Sequence, residues 1–253
     1  MVADGGGKMK LTLAEPKYLK ESVMIISELV NEARFKITKE AIELVAMDPA
    51  NVAMVIFKLL SSSFVEYTVD QDVNIAINLG NLKLIMRRAK PQDTLTLELE
   101  QNKLRVVLKG GSTRTFSLPI IDLEEKEQRV PELKFACTIG LASSMLSDAI
   151  EDADIVGESV AFQCDKGTFT VEAAGELSNA RIEMKEGKEV KVKCLEVSKA
   201  KYSIEYLKKM MNGAKLSDTV EIHFSADYPL KLDYKAVDRM LLSFILAPRV
   251  ENE

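Results

Sequence analysis

The stretch KLTLAEPKYLKESVMIISELVNEARFKITKEAIELVAMDPANVAMVIFKLL, residues 10–60, decides the architecture. Lys10 to Leu13 alternates as a short strand. Pro16 then opens a helix, at a position where a missing N–H costs little. Leu19, Val23, Ile26 and Val30 fall near helical spacing and make one apolar stripe. Three strand candidates follow, Ala33–Ile37, Ile42–Met47 and Val52–Leu60, rich in β-branched and apolar residues.

The same order returns three times. Val73–Ile77 is a strand, and Leu82, Ile85, Met86 and Ala89 mark a helix that ends before Pro91. Thr94–Leu99, Leu104–Leu108 and Thr113–Leu118 are strands, with Gly110–Gly111 as the hairpin turn between the last two. Asp122 to Pro131 is charged and has no apolar period, so it reads as an exposed connector. Beyond it, Phe135–Ile139 is a strand, and Leu141, Met145 and Ala149 mark a helix. Val160–Cys164, Phe169–Ala173 and Ala180–Met184 are strands. Val190–Val197 is extended, and Ile204, Leu207 and Met211 stripe a fourth helix. Val220–Phe224, Leu230–Tyr234 and Leu241–Leu246 close the chain. A unit of strand, helix and three strands therefore recurs four times, at roughly 60-residue intervals. The expected fold class is α+β: two similar domains, each with two helices packed on antiparallel sheet. The expected boundaries are a flexible leader at 1–8, a first domain at 9–121, a connector at 122–132 and a second domain at 133–253.

Composition agrees with a chain of that size and excludes several functions. The 253 residues are 47% hydrophobic and 29% charged, enough for a sizeable core and not the balance of a disordered chain. No run of about 18 apolar residues exists, so a transmembrane helix is excluded. The first ten residues lack the apolar core of a secretory signal. Cys137, Cys164 and Cys194 are odd in number and lack metal-site spacing, so they read as buried thiols of a reducing compartment, and no metal or other cofactor is expected. His223 is the one histidine; it has no second imidazole for a metal site and no nucleophile elbow to serve. No P-loop and no GxGxxG after a strand occurs. The paired acids Glu124–Glu125 and Glu151–Asp152 read as a solvated face. The competing reading, an enzyme of the same fold class, would need convergent polar groups in a pocket, and only one histidine is available to it.

Net charge is −5, yet the cations gather on the helices. Lys17 and Lys20 lie on the first. Lys83, Arg87, Arg88 and Lys90 lie at the end of the second, and Lys199, Lys201, Lys208, Lys209 and Lys215 lie around the fourth. Taken singly, lysines at helix C-termini complement the dipole. Taken together they predict a common positive face with amines for phosphates and few groups for bases, hence backbone contact without sequence readout. The residues expected to face DNA are Lys17, Lys20, Lys83, Arg87, Arg88, Lys199, Lys208 and Lys209.

Ala46-Met47-Asp48-Pro49 with Val52, Arg114-Thr115-Phe116 leading to Pro119-Ile120-Ile121-Asp122-Leu123, and Leu246-Ala247-Pro248-Arg249-Val250 resemble the proliferating cell nuclear antigen family of DNA sliding clamps. Asn31-Glu32-Ala33, Gly175-Glu176-Leu177 and Pro229-Leu230 carry the resemblance further, from about Met9 to the C-terminus and in an archaeal style. The resemblance implies a trimeric ring with helices lining a central hole, which encircles duplex DNA, acts as a processivity factor and catalyses nothing. It implies a peptide-docking pocket of Met47, Val52, Leu123, Val130, Pro229, Ile245, Ala247 and Pro248, apolar enough to take aromatic and aliphatic anchors. The partners so implied are DNA polymerase, flap endonuclease, DNA ligase and a clamp loader, in replication and repair, with no membrane. The compartment is cytoplasmic and nucleoid-associated in an archaeon, nuclear in a eukaryote. Subunits in this family meet edge to edge, here Ser112–Leu118 against Ser178–Met184, with Arg114, Phe116, Leu118, Ala180, Ile182 and Met184 at the interface.

The third helix departs from the family, whose members often place arginine or lysine there. Asp148, Glu151, Asp152 and Asp154 occupy it with no cation. Either it touches DNA little, or the chain is one member of a mixed ring, so homotrimer and heterotrimer stay open. A clamp relative specialised for damage signalling would lose the partner pocket, whereas Met47, Pro229 and Ala247-Pro248 are retained.

Overall fold

A computed structural model describes residues 8–124 and 127–250. All of the expected leader except Lys8 lies outside the described residues, as do Glu125 and Lys126 of the expected connector. The elements up to the connector are β1 (Met9–Leu13), α1 (Lys17–Ile26), β2 (Glu32–Ile37), β3 (Ala41–Met47), β4 (Ala53–Leu60), β5 (Glu66–Val69), β6 (Val73–Asn78), α2 (Leu79–Met86), β7 (Thr94–Glu100), β8 (Lys103–Lys109) and β9 (Thr113–Pro119). Then come β10 (Cys137–Ala142), α3 (Ser143–Asp154), β11 (Ser159–Asp165), β12 (Thr168–Ala174), β13 (Asn179–Lys185), β14 (Lys191–Cys194), β15 (Ser198–Ser203), α4 (Ile204–Met211), β16 (Thr219–Phe224), β17 (Leu230–Ala236) and β18 (Met240–Leu246). The chain is α+β, and the strand–helix–three-strand unit recurs four times.

The contacts divide the chain into two compact units: Met1–Ala46 with Ile56–Arg129 and Ala236–Leu241, and Met47–Val55 with Val130–Lys235 and Leu242–Glu253. In the first unit, β5-β1-β7-β8-β9 form one antiparallel sheet, and β2 pairs with both β3 and β6. α1 and α2 pack together over this framework. α1 buries Leu19, Val23, Ile25 and Ile26, while α2 is capped by the Asn78 side chain, which accepts from the Asn81 N–H at 2.9 Å. Under the helices Leu11, Leu13, Leu95, Val106 and Leu108 are almost wholly buried, each side chain contributing about 1.5–3 kcal/mol of burial.

The second unit repeats the plan. One antiparallel run is β14-β10-β16-β17 and the other sheet is β13-β12-β11-β15. α3 packs on α4 and on β10 to β13. Its core is aromatic: Phe162 meets Phe169, Tyr202 and Phe224 at ring-centroid distances of 5.3, 5.5 and 6.1 Å. Such tilted and edge-on pairs add about 0.5–1.5 kcal/mol each beyond area burial.

Three local readings need correction. The alternating run Glu66–Val69 is a further strand, pairing with β1. Leu141 belongs to strand rather than helix, because Cys137, Ile139 and Leu141 alternate inward along β10. The helix starts at Ser143 and buries Leu146, Ala149, Ile150 and Ala153. Finally, the strand leading into α4 is β15, so Lys199 and Lys201 lie on a strand and not in the helical region.

Candidate functional site

Helix composition determines where positive charge collects, and the result differs between the units. In the first, Lys17, Arg87 and Arg88 are exposed and carry no ion pair among the described residues. Lys20 donates to the carbonyl of Ala89 at 2.8 Å, which ties α1 to the end of α2. Lys83 is ion-paired with Glu28 and its side chain is only 17% exposed, so it joins α2 to the turn after α1 rather than projecting freely. In the second unit, α4 carries Glu205 in its first turn and Lys208 and Lys209 in its last, which suits its dipole. Lys208 meets Asp154 of α3 at 2.5 Å, and Lys209 approaches Glu205 at 3.8 Å. The acidic third helix thus supplies the counter-charge for the fourth. Lys199 is a correction: Ala200 and Tyr202 point into the core, so alternation turns Lys199 to the opposite face of the sheet, where it pairs with Glu172 at 3.0 Å. Among the described residues, the exposed cations on or beside the helices that carry no ion pair are Lys17, Arg87, Arg88 and Lys90 in the first unit and Lys215 in the second.

The loop after β3 is organised by one carboxylate. Asp48 is buried and accepts from the N–H groups of Val52 at 2.7 Å and Ala53 at 2.8 Å, and from the Tyr206 hydroxyl at 2.6 Å. Burial pushes its pKa up, but the Ala53 N–H, the Tyr206 hydroxyl and the Val52 and Ala50 N–H groups outweigh it and hold it below the usual carboxylate range. The same bond lifts the Tyr206 phenol to about 12. Asn51 takes a φ of 57° at the tip, a conformation asparagine tolerates. The carbonyl of Val52 accepts from the Ala247 N–H at 2.9 Å, so the loop and the segment after β18 are laced together. Met47, Val52, Pro229, Ala247 and Pro248 are half-buried, Ile245 is buried and Val130 is exposed. Leu123 belongs to the first unit, where its carbonyl accepts from Arg34 at 2.8 Å.

Both expected interface strands are sheet edges. β9 ends the first unit's five-stranded sheet and β13 ends the second unit's four-stranded sheet. Their burial patterns are identical: Phe116 and Ile182 are half-buried, and Leu118 and Met184 are buried two residues on. Arg114 is held within its own unit, ion-paired with Asp93 and donating to the carbonyl of Arg88 at 2.8 Å. Ala180 is half-buried opposite Ala173 of β12.

Two clusters went unread in the sequence. His223, on β16, lies 3.3 Å from Asp233, which also accepts from Ser243 at 2.5 Å. Its other ring nitrogen meets Thr138 at 3.1 Å. The serine bonds the aspartate and not the histidine, so no nucleophile is activated. The three cysteines, expected as buried thiols without metal-site spacing, are brought together: their Sγ atoms all lie within 4.8 Å of one another. Burial pushes the Cys137 and Cys164 thiols up, well above their ordinary value for Cys164.

Comparison with known proteins accounts for the paired domains. The sequence profile described as proliferating cell nuclear antigen, N-terminal domain, matches residues 9–126, and that of the C-terminal domain matches residues 129–249. The DNA polymerase sliding clamp of Nanoarchaeum equitans is 36% identical over 247 residues, covering 95% of this chain and 99% of that protein. The DNA polymerase sliding clamp of Pyrococcus furiosus is 37% identical over 229 residues, covering 89% and 92%. The crystal structure of PCNA from Thermococcus kodakaraensis superposes with a TM-score of 0.89 at 27% identity, covering 95% of this chain and all of the other. The fold is the DNA clamp fold, that of non-enzymatic processivity factors. The chain belongs to the proliferating cell nuclear antigen family.

Proposed function

We propose that this chain is a subunit of a ring that encircles duplex DNA and tethers DNA polymerase, flap endonuclease, DNA ligase and a clamp loader. The observation that carries this reading is the pair of open sheet edges, β9 and β13, with one shared alternation of half-buried and buried side chains. An exposed edge invites strand pairing and is a hazard unless a partner covers it. Edge-to-edge pairing of successive copies through Phe116, Leu118, Ala180, Ile182 and Met184 removes both edges at once. Lys17, Arg87 and Arg88 then contact phosphates, with Lys20 and Lys83 tying together the segments that present them, and Lys208 and Lys209 add the second unit's helix cations. Partners dock a short peptide on Met47, Val52, Pro229, Ala247 and Pro248, beside the loop fixed by Asp48. Val130 and Ile245, of the same unit, complete that pocket.

The test is the light-scattering mass of the purified chain, taken with and without a peptide bearing the PCNA-interacting motif. A mass of three chains with peptide binding is the outcome for a self-sufficient ring. A smaller mass with peptide binding identifies a member of a mixed ring, whose helix charges are uneven because other subunits supply the rest. A monomer that ignores the peptide overturns the reading.

A further inference from the structure

The three cysteines come from three strands of the second unit. Cys137 on β10 faces Cys194 on β14 as direct cross-strand partners, and Cys164 lies near the end of β11 in the other sheet. β14 is the outer strand of its run, so the cluster sits at a sheet edge. Cys137 and Cys164 are buried while Cys194 is half-exposed, and Leu195 and Val197 stand exposed on either side of the turn that follows. A fourth group points at the same place. The carbonyl oxygen of Glu196 lies 3.4 Å from the sulfur of Cys137 and 3.4 Å from that of Cys194, and also accepts from Ser198 at 2.9 Å.

We infer that Cys137, Cys164 and Cys194 form a binding site for a single thiophilic d10 cation of the zinc class, with the Glu196 carbonyl facing its fourth corner. The distances suit this use. A tetrahedral cation with metal–sulfur bonds of about 2.3 Å sets sulfurs about 3.8 Å apart, and an oxygen at about 2.1 Å sits about 3.6 Å from each sulfur. The sulfurs, already within 4.8 Å of one another, need to close by about 1 Å at most, which side-chain rotation supplies. Three soft ligands select a soft cation over magnesium or calcium, which require oxygen shells. Binding replaces three S–H protons by one metal, so protons are released and affinity rises with pH. The bound cation pins the edge strand β14 to β10 and β11, a structural role that stands independently of the clamp reading.

The experiment uses the full chain, reduced, stripped of metal and titrated with cadmium, whose bonds to thiolate give an ultraviolet charge-transfer band. The band should saturate at one cadmium per chain, with proton release, and zinc should compete it away. Bound metal should protect the thiols from an alkylating reagent and raise the thermal midpoint. Cys194→Ser changes the half-exposed ligand, and circular dichroism checks that it folds. This variant should lose more than about 100-fold in affinity, beyond the loss seen when only an outer-shell partner is removed. No band at one equivalent in the reduced wild-type chain overturns the proposal, as does a band of unchanged strength and stoichiometry in Cys194→Ser. Should that variant fail to fold, alkylation at the same rate with and without zinc in the wild-type chain overturns it equally.

Discussion

The carboxylate of Asp48 accepts from three backbone N–H groups and from Tyr206 in a place that water reaches poorly. Asp48→Ala leaves those donors without an acceptor, and each buried unsatisfied group costs about 1–3 kcal/mol. Urea unfolding of the variant should show a loss of that order, and the loosened loop should weaken peptide binding measured by fluorescence titration. Asp233 is the second residue whose charge matters. Burial raises its pKa, but the bonds from His223 and Ser243 and the ammonium of Lys231 at 3.3 Å hold it at about 2. The unfolded value is about 3.9, so the folded pKa is depressed, and its stabilisation is complete above pH ~4 and fades as pH falls through about 2. Wild type and Asp233→Asn, unfolded by urea at pH 5 and at pH 2.5, should therefore converge on acidification by about 2 kcal/mol. Neither residue's role is visible in the sequence. Asp48 stands there only as part of a motif, and the partners of Asp233 come from strands far apart in the chain.

At the scale of elements, strands with a strict period of two and helices with one buried stripe were legible, and their ends were not. β8 reads Leu104, Val106, Leu108 inward without ambiguity. β5 escaped because Glu66-Tyr67-Thr68-Val69 buries only its last residue. β15 escaped because Ser198, Ala200 and Tyr202, its buried series, are small or polar-tipped and run directly into the stripe of α4. That oversight is what placed Lys199 with the helices. The edge strands yield a direct test. Ile182 of β13 is half-buried and paired with Val171 of β12 on one side only. Ile182→Lys places a charge on the open edge, where lysine blocks strand pairing. Light scattering should show its mass fall to that of one chain, with the circular dichroism of the wild type retained.

For the whole molecule, the sequence showed an acidic protein with basic helices, and the folded chain refines that picture. Lys83 and Lys208 are engaged by Glu28 and Asp154, whereas Lys17, Arg87 and Arg88 are exposed and carry no ion pair among the described residues. Removing both arginines in Arg87→Ala/Arg88→Ala should lower the slope of log affinity for duplex DNA against log salt by about 0.9 for each phosphate no longer neutralised, without changing sequence preference. The partner pocket was reached only through resemblance, since its residues are half-buried apolar side chains that composition and period cannot tell from core. The thiol cluster was hidden for a related reason: residues 137, 164 and 194 share no local spacing, and only strand pairing brings them together. The two open edges carry one last implication. β9 and β13 are different surfaces, so a copy joined through them behaves like a monomer in step-growth polymerisation, with one reactive end of each kind. A copy spoiled at Phe116 and a copy spoiled at Ile182 are then complementary chain stoppers. Each is solitary alone, yet an equal mixture should settle at a dimer with one spent end on either side and no higher species.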